Sequence, residues 1–182
     1  MTVHKDVEEI LYSEEQLRLR IGELGREISR DYAGKRPLFV GTLKGSFIFL
    51  ADLMRRVEID CDVDFIAASS YGNGVVTSGN VKIKKDLATD IAGRDVLIVE
   101  DIVDSGVTLH CLKLLLQERN PNSVKIVSLL SKPTGRKTNI EPDYVGFTVP
   151  NAFIVGYGLD YAELYRNLPY IGVLKPCVYN KE

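Results

Sequence analysis

The middle of the chain concentrates polar side chains that could do chemistry. The nine positions 100–108, with the sequence EDIVDSGVT, hold three acids, two hydroxyls and one glycine directly after a run of aliphatic residues. Acids and hydroxyls at this density add little to a hydrophobic core, and they are rarely buried without partners. The stretch therefore indicates a site that binds or transforms a ligand.

The second half of this stretch has the residue types of an anion-binding turn. If a helix begins within residues 104–108, its first N–H groups are unpaired and lie at the positive end of the helix dipole. Gly106 would let the backbone approach a phosphate, and Ser105 and Thr108 would add hydroxyl donors. The stretch matches neither the Gly-x-x-x-x-Gly-Lys pattern of nucleoside triphosphate loops nor the Gly-x-Gly-x-x-Gly pattern of dinucleotide loops. The simpler alternative is that Asp104 or Ser105 only caps the helix.

Glu100 and Asp101 are adjacent carboxylates at the predicted end of a buried strand, and a helix cap does not explain them. Because carboxylates are costly to desolvate unless a cation or a hydroxyl group meets them, we expect sugar hydroxyls or a magnesium ion there. A phosphate site beside a site for a diol implies a ribose 5-phosphate.

The elements that must position these residues alternate between strand and helix. Ser13 and Gln16 match a capping box, and apolar residues then recur at helical spacing, so a first helix is predicted to end near Tyr32. Other elements are predicted from apolar runs and periodic stretches. The strands cover residues 38–43, 61–70, 80–87, 95–103 and 124–130, and the helices cover 47–57 and a stretch with Leu109, Leu112 and Leu116.

This alternation predicts an α/β fold with a mainly parallel sheet flanked by helices, because parallel neighbours need crossover connections. Ligands of such sheets lie at the carboxyl ends of the strands, which is where residues 100–108 fall. The residues between the strands at 61–70 and 80–87 are rich in Gly and predict a mobile loop or hairpin. The last third, from Tyr144 onward, has short β-like pieces and is interpreted as a smaller cap on the same domain.

Length, composition and charge limit the classes of protein to which the chain can belong. With 182 residues and 45% hydrophobic residues it fits one compact domain, and it has no run of about 18 apolar residues that could span a membrane. We therefore expect a soluble, cytoplasmic protein without a membrane partner. Three separated cysteines suggest neither a disulfide framework nor a zinc site, and a formal net charge of −2 without a basic stripe argues against a nucleic-acid partner.

Residues 96–109, VLIVEDIVDSGVTL, resemble the phosphoribosyl-pyrophosphate signature of type I phosphoribosyltransferases, and the Glu-Asp pair resembles the hypoxanthine-guanine branch of that family. Further segments resemble the family in order and spacing. They are the pyrophosphate loop at 43–47, the mobile flap at 70–72, the purine-selecting lysine in 131–133, and the base-binding and closing segments at 153–160 and 165–169. The resemblance implies the type I phosphoribosyltransferase fold for residues 1–182 as a single domain. Its core would be about 34–150, and its cap, or hood, would combine the N-terminal residues with about 151–182.

The resemblance also implies a role for individual residues. Asp104 is the catalytic proton acceptor at purine N7. The ribose 5-phosphate is bound by Asp104, Ser105, Gly106, Val107 and Thr108, the ribose hydroxyls by Glu100 and Asp101, and pyrophosphate by Lys44, Gly45 and Arg166. The purine is bound by Lys132, Phe153, Ile154 and Asp160, magnesium by Glu100, Asp101 and Asp160, and the flap contains Ser70 and Tyr71.

Two of these roles agree with elementary chemistry. An aspartate with an ordinary pKa of about 4 can accept the purine N7 proton, because that proton becomes acidic as N9 bonds to the sugar. Lys132 can donate to a 6-oxo group but would face the 6-amino group of adenine donor to donor, so adenine should be rejected. Arg136 and Lys137, later in the same loop, are ambiguous and are left without a role.

The reaction implied by the resemblance is phosphoribosyl transfer from 5-phosphoribosyl 1-pyrophosphate to N9 of hypoxanthine or guanine. Its products are IMP or GMP and pyrophosphate, its cofactor is Mg2+, and the enzyme is a pentosyltransferase of purine salvage, expected as a homodimer or homotetramer. One alternative is a regulatory nucleic-acid-binding protein on the same scaffold. The other is a phosphoribosyltransferase for another base such as uracil, orotate, adenine or xanthine, a class that fits residues 104–108 but fits Lys132 and residues 153–160 less well.

Overall fold

Strands and helices alternate along most of the chain, as the apolar pattern predicts. The structure, a computed structural model, describes residues 3–70 and 81–180, and of Ser70 it describes only the backbone. The strands are β1 (Val7–Tyr12), β2 (Leu38–Thr42), β3 (Asp62–Ser70), β4 (Val81–Lys85), β5 (Asp95–Val103), β6 (Ser123–Ser131), β7 (Tyr144–Thr148), β8 (Ile154–Val155) and β9 (Ile171–Leu174). The helices are α1 (Glu14–Asp31), α2 (Phe47–Met54), α3 (Val107–Gln117) and α4 (Pro176–Tyr179).

Six strands form the main sheet, in the order β4-β3-β2-β5-β6-β7. The strands from β3 to β7 in this order run parallel, and β4 pairs antiparallel with β3. Helices α1 and α2 pack on one face of this sheet and α3 packs on the other. The predicted α/β class, a mainly parallel sheet flanked by helices, is confirmed.

Strand β7 corrects the interpretation of everything from Tyr144 onward as cap. It pairs parallel with β6 at the edge of the main sheet, with Tyr144 opposite Val127. The Tyr144 ring is buried in the same apolar cluster as α1 and α2. This strand belongs to the main sheet because its tyrosine completes that cluster.

Strand β5 shows why the centre of the sheet is so aliphatic. Leu97 and Val99 pack in the cluster with α1 and α2, whereas Val96 and Ile98 pack in the cluster with α3. Successive side chains of a strand point to opposite faces, so a central strand covered on both sides buries each of them. All four are fully buried, and each such burial stabilises the fold by about 1.5–3 kcal/mol.

Helix α1 begins at the predicted capping box. The Ser13 hydroxyl accepts a hydrogen bond from the Gln16 N–H at 3.3 Å, and the Gln16 side chain accepts one from the Ser13 N–H at 2.9 Å. The helix ends at Asp31, with Tyr32 as its C-cap, as the sequence predicts. The two cap bonds satisfy N–H groups that a helix start otherwise leaves unpaired.

Helix α2 is shorter than predicted and ends at Met54 instead of Val57. The Arg56 N–H bonds to the Leu53 carbonyl at 2.8 Å, three residues back, which is a tighter turn than an α-helix makes. Apolar periodicity alone does not detect this change of winding.

A second, antiparallel sheet has the strand order β1-β9-β8. It joins a segment near the start of the described chain to segments after residue 150, and the buried Tyr170 hydroxyl accepts a hydrogen bond from the His4 N–H at 2.8 Å. The predicted flap begins at Ser70, whose backbone ends β3, and the rest of it, from Tyr71 onward, lies in residues 71–80, outside the described residues. Among the helices that the structure describes, none combines the length and apolarity needed to cross a membrane.

Candidate active site

The carboxyl ends of β2, β5 and β6 meet at one edge of the main sheet. Gly41 of β2 lies opposite Val99, and Val103 lies opposite Ser131 of β6, so the loops that follow these strands are neighbours. Three adjoining clefts of about 190, 210 and 130 Å3 open here, each lined by side chains from residues 100–104. This edge is the usual ligand site of a parallel sheet.

Residues 104–108 form the turn between β5 and α3, which we call the anion turn. Gly106 is the N-cap of α3 with a φ of 74°, so neither Asp104 nor Ser105 occupies the cap position. A Cβ at Gly106 would lie 2.7 Å from Thr138 Oγ1, so both the backbone conformation and the space require glycine. The helix start and the hydroxyl residues of the turn line the 130 Å3 cleft, an arrangement that suits a phosphate.

Glu100 and Asp101 are half-buried neighbours near the end of β5. The Thr42 hydroxyl donates a hydrogen bond to Glu100, and the Ile102 N–H donates one to Asp101 at 2.9 Å. Burial, and then the charge of Asp101, raises the pKa of Glu100 well above its usual range. Burial also raises the pKa of Asp101, against the lowering effects of the Ile102 N–H and the Arg166 charge. Crowded carboxylates of this kind favour a cation or hydroxyl donors beside them.

The turn from β2 into α2 lies against Asp101. The peptide bond between Leu43 and Lys44 is cis. A Cβ at Gly45 would lie 1.6 Å from Asp101 Oδ2, so no side chain fits at this position. Gly158, with a φ of 103°, packs on the Gly45 carbonyl, and a Cβ there would lie 2.1 Å from that oxygen. This contact between two glycines holds the loop after β8 against the turn after β2.

Asp104 and Lys132 form an ion pair across the ends of β5 and β6. Lys132 Nζ donates to Asp104 Oδ2 at 3.0 Å and to the Ala152 carbonyl at 3.3 Å. Gly135 makes room for the carboxylate, since a Cβ there would lie 1.9 Å from Asp104 Oδ1. The lysine side chain is 12% exposed and the aspartate side chain 50%, so the pair is accessible from the cleft mainly at the aspartate. A donor and an acceptor at this separation can form hydrogen bonds with two adjacent atoms on one edge of a ligand.

The 210 Å3 cleft has an aromatic wall. The Phe153 ring stacks on Tyr179 of α4, with ring centroids 4.9 Å apart, and Tyr161 meets it edge-on at 5.3 Å. Phe153 is nevertheless 37% exposed, and it lines the cleft together with the buried Ile154. A flat heterocycle could stack on this wall. The sequence does not predict the part played by Tyr179, because the stacking depends on how α4 folds back.

Lys44, Asp160, Glu163 and Arg166 form a charged cluster beside the glycine contact. Arg166 NH2 lies 2.8 Å from Asp160 Oδ1 and 3.1 Å from Glu163 Oε2, and Lys44 Nζ lies 3.1 Å from Glu163 Oε1. Arg166 NH1 donates to the Gly158 carbonyl at 2.8 Å. The structure thus brings together two cations that are distant in the sequence, and it adds Glu163, which no sequence pattern predicts.

Arg136, which the sequence left without a role, lies buried under the start of the anion turn. Its guanidinium donates to the carbonyls of Val103 at 2.7 Å and Asp104 at 3.1 Å, and to Ser131 Oγ at 2.9 Å. Its side chain is 8% exposed. Arg136 therefore ties together the two strand ends that carry Asp104 and Lys132. Only its place in the loop after Lys132 could have hinted at this role.

The predicted magnesium ligands are Glu100, Asp101 and Asp160. Within the described part of the chain, no three His, Cys, Asp or Glu side chains converge into a preformed metal cluster. Asp101 and Asp160 line the same cleft, and Asp160 is paired with Arg166. Magnesium is commonly held by one or two carboxylates together with substrate phosphates and water, so these donors fit an ion that arrives with a phosphate ligand.

Known proteins resemble this chain over nearly its whole length. The family model of the phosphoribosyl transferase domain matches residues 7–162. The hypoxanthine-guanine phosphoribosyltransferase of Bacillus subtilis is 56% identical over 174 residues, which cover 96% of this chain and 97% of that protein. A crystal structure of a hypoxanthine phosphoribosyltransferase from Staphylococcus aureus has a TM-score of 0.94 at 50% identity, covering 98% of this chain and 97% of that one.

Some relatives are much longer. The bifunctional protein TilS/HprT of Listeria monocytogenes is 56% identical over 180 residues, which are 99% of this chain but 28% of that protein. The chain thus spans little more than a quarter of the length of these relatives.

Proposed function

The chain belongs to the phosphoribosyltransferase family, and from this premise we propose that it transfers the 5-phosphoribosyl group of 5-phosphoribosyl 1-pyrophosphate to N9 of hypoxanthine or guanine. The products are IMP or GMP and pyrophosphate, a step of purine salvage. The observation that carries the proposal is the Lys132–Asp104 pair, 3.0 Å apart, in a cleft that adjoins the anion turn. Relatives that bear the name hypoxanthine-guanine phosphoribosyltransferase support it.

The Lys132–Asp104 pair suits one edge of a 6-oxopurine. O6 and N7 are neighbours on that edge, so an ammonium donor can meet O6 while a carboxylate meets the N7 proton. In adenine an amino donor replaces O6, and the lysine is then left without an acceptor. Phe153 stacks on the ring face, and Ile154 reads the base through main-chain groups.

In the proposed reaction the bond between C1′ and the pyrophosphate oxygen breaks, and its electron pair leaves with pyrophosphate. N9 bonds to C1′, and the N7 proton passes to the Asp104 carboxylate. The anion turn holds the 5-phosphate, and Glu100 and Asp101 hold the ribose hydroxyls. Lys44, the Gly45 N–H and Arg166 hold pyrophosphate, so that the reacting atoms stay in line.

Magnesium is proposed at Glu100, Asp101 and Asp160. The proposal is supported by their carboxylate chemistry, by the raised pKa values of Glu100 and Asp101, and by the ion pair that Asp160 forms with Arg166. When bound, it would neutralise charge that develops on the departing pyrophosphate.

Wider properties follow from the family resemblance. We treat residues 1–182 as one domain with a core at about 34–150 and a cap from the N-terminal residues and about 151–182. Residues 70–80 are proposed as a flap that excludes water from the reacting sugar. A cytoplasmic homodimer or homotetramer is also proposed. No observation on the described residues favours a regulatory nucleic-acid-binding role or another base.

A panel of bases tests the function. The protein is incubated with 5-phosphoribosyl 1-pyrophosphate, magnesium and hypoxanthine, guanine, xanthine, adenine or uracil, and nucleotide formation is measured. We expect turnover of hypoxanthine and guanine. Asp104→Asn should lower kcat by about 100- to 10,000-fold, because the amide cannot accept the N7 proton.

Asp90→Asn is the matched control, since Asp90 is an exposed aspartate on the loop before β5 and should keep full activity. Absence of turnover with every base would refute the proposed activity. Full activity of Asp104→Asn would refute only the role of Asp104 as the base.

A further inference from the structure

Glu163 is an exposed acid that bridges the two cations proposed to bind pyrophosphate. One of its carboxylate oxygens pairs with Lys44 and the other with Arg166, both at 3.1 Å. The Glu163 N–H donates to Asp160 Oδ2 at 2.9 Å, which fixes the backbone from which the side chain reaches. The hydrogen bond from Lys44, and then that from Arg166, lowers the pKa of Glu163, so the carboxylate is charged at neutral pH.

Pyrophosphate would need the same donors. One N–H of the Arg166 NH1 group already bonds to the Gly158 carbonyl, and the NH2 group, which a ligand would also use, pairs with Asp160 and Glu163. The Lys44 ammonium is a point charge that Glu163 partly neutralises. A fixed negative charge within 3.1 Å of both cations lowers the local positive potential that attracts an anion.

We propose that Glu163 competes with pyrophosphate for Lys44 and Arg166 and thereby weakens the binding of pyrophosphate. The inference rests on the proposed function, which assigns both cations to pyrophosphate. Because the Glu163 side chain is 64% exposed, its ion pairs are weak and the ligand can displace them. Glu163 therefore tunes affinity and does not block the site.

The decisive measurement is the binding of inorganic pyrophosphate to the whole protein by titration calorimetry at fixed magnesium. Glu163→Gln keeps the size of the side chain and removes its charge. We expect Glu163→Gln to bind pyrophosphate about two- to thirtyfold more tightly than the parent, which is the range that two exposed ion pairs imply. The gain should shrink as potassium chloride is raised, because salt screens exposed charges.

Three variants separate competition from a structural role. Glu163→Asp retains the charge and should bind close to the parent value. Glu23→Gln removes an exposed acid paired with Arg20 on α1 and should leave pyrophosphate binding unchanged. In an Arg166→Gln background, Glu163→Gln should strengthen binding less than it does alone, because one of its partners is gone.

Lys44→Gln and Arg166→Gln separate failure of this inference from failure of the proposed function. If neither weakens pyrophosphate binding, the assignment of the pyrophosphate site is wrong and the inference falls with it. If both weaken binding and Glu163→Gln leaves it unchanged or weaker, the inference alone is overturned. In that last case Glu163 would hold the two cations in place for the ligand.

Discussion

At the residue scale, the proposed choice of ligand depends on what single side chains at the sheet edge donate and accept. Lys132 offers only donors and Asp104, when ionised, only acceptors, and the two lie 3.0 Å apart. Neither residue alone distinguishes a purine from any other polar ring. Their separation does, because it matches adjacent acceptor and donor atoms on one edge of a 6-oxopurine.

Lys132→Met should therefore change both rate and selectivity. Loss of a hydrogen bond from a charged donor should lower kcat/KM for hypoxanthine by about 10- to 100-fold. The preference for hypoxanthine over adenine should narrow, because the donor that opposes the amino group is gone. Steady-state kinetics with both bases measure the two effects.

Lys84→Met, at an exposed position on β4, is the control and should leave both kinetic constants unchanged. If Lys132→Met kept the parent's preference against adenine, another group would have to select the base.

At this scale the sequence predicts residues whose local pattern is unusual. Glu100 and Asp101 stand out because adjacent acids rarely follow a buried strand. Glu163 and Arg136 do not stand out, because an exposed acid and a loop arginine are ordinary in sequence. Their importance comes from partners more than twenty residues away, and such contacts exist only in the folded chain.

At the scale of elements, the position of the ligand site depends on how the ends of β5 and β6 are joined. The strands pair from Asp95 opposite Ser123 to Val103 opposite Ser131, and Arg136 then bonds to both ends. The bounds of β5 were predictable, because residues 95–103 are mostly aliphatic, which suits a strand buried on both faces. The end of α2 was not, since a change to tighter turns leaves the apolar spacing intact.

Arg136→Met should lower both stability and turnover. It removes the side-chain donor to the Asp104 carbonyl and one of two donors to the Val103 carbonyl, which also accepts from the Lys132 N–H, and this should reduce the free energy of unfolding by about 1–3 kcal/mol. Arg136 no longer connects the start of the anion turn, which carries Asp104, to the end of β6. We therefore expect kcat to fall more than KM rises. Urea unfolding and steady-state kinetics at a temperature where the variant is folded measure the two changes.

Arg136→Lys provides the comparison, since its single ammonium can reach one acceptor and cannot replace the fork of donors. It should recover part of the stability and part of kcat. If Arg136→Met and Arg136→Lys were both less stable than the parent but kept its kcat, Arg136 would stabilise the fold without contributing to turnover.

At the scale of the whole molecule, the sheet separates two apolar clusters and arranges strands out of sequence order. Strand β2 lies between β3 and β5, so the turn after β2 and the turn after β5 become neighbours. The parallel sheet could be predicted from the alternation of elements. The order of its strands, and the place of β7 at its edge, could not, because they depend on which apolar faces fit together.

Asp64 anchors one flank of this sheet through main-chain hydrogen bonds. It lies on β3 and is 7% exposed. Its carboxylate accepts N–H groups from Phe65 at 2.7 Å, Ala88 at 2.8 Å and Thr89 at 2.9 Å. Burial alone would raise its pKa, but the hydrogen bonds from Phe65 and Thr89 outweigh this and lower the pKa to about 2. The charged carboxylate thereby ties β3 to the segment that leads from β4 into β5.

This lowered pKa predicts a pH-dependent share of the stability. Because the folded pKa lies below the unfolded value of 3.8, the charged carboxylate stabilises the fold, by about 2.4 kcal/mol at pH 7. The contribution is fully present above the unfolded pKa and is lost as the pH falls toward the folded pKa, with roughly half gone by pH 3.

Asp64→Asn should therefore destabilise the protein at pH 7 and differ less from the parent at pH 3. Urea unfolding of both proteins at several pH values measures this difference, with the exposed Asp60→Asn as a control that should show little effect at either pH. A difference that stayed constant between pH 7 and pH 3 would mean that the shape of the side chain, and not its charge, holds this flank of the sheet.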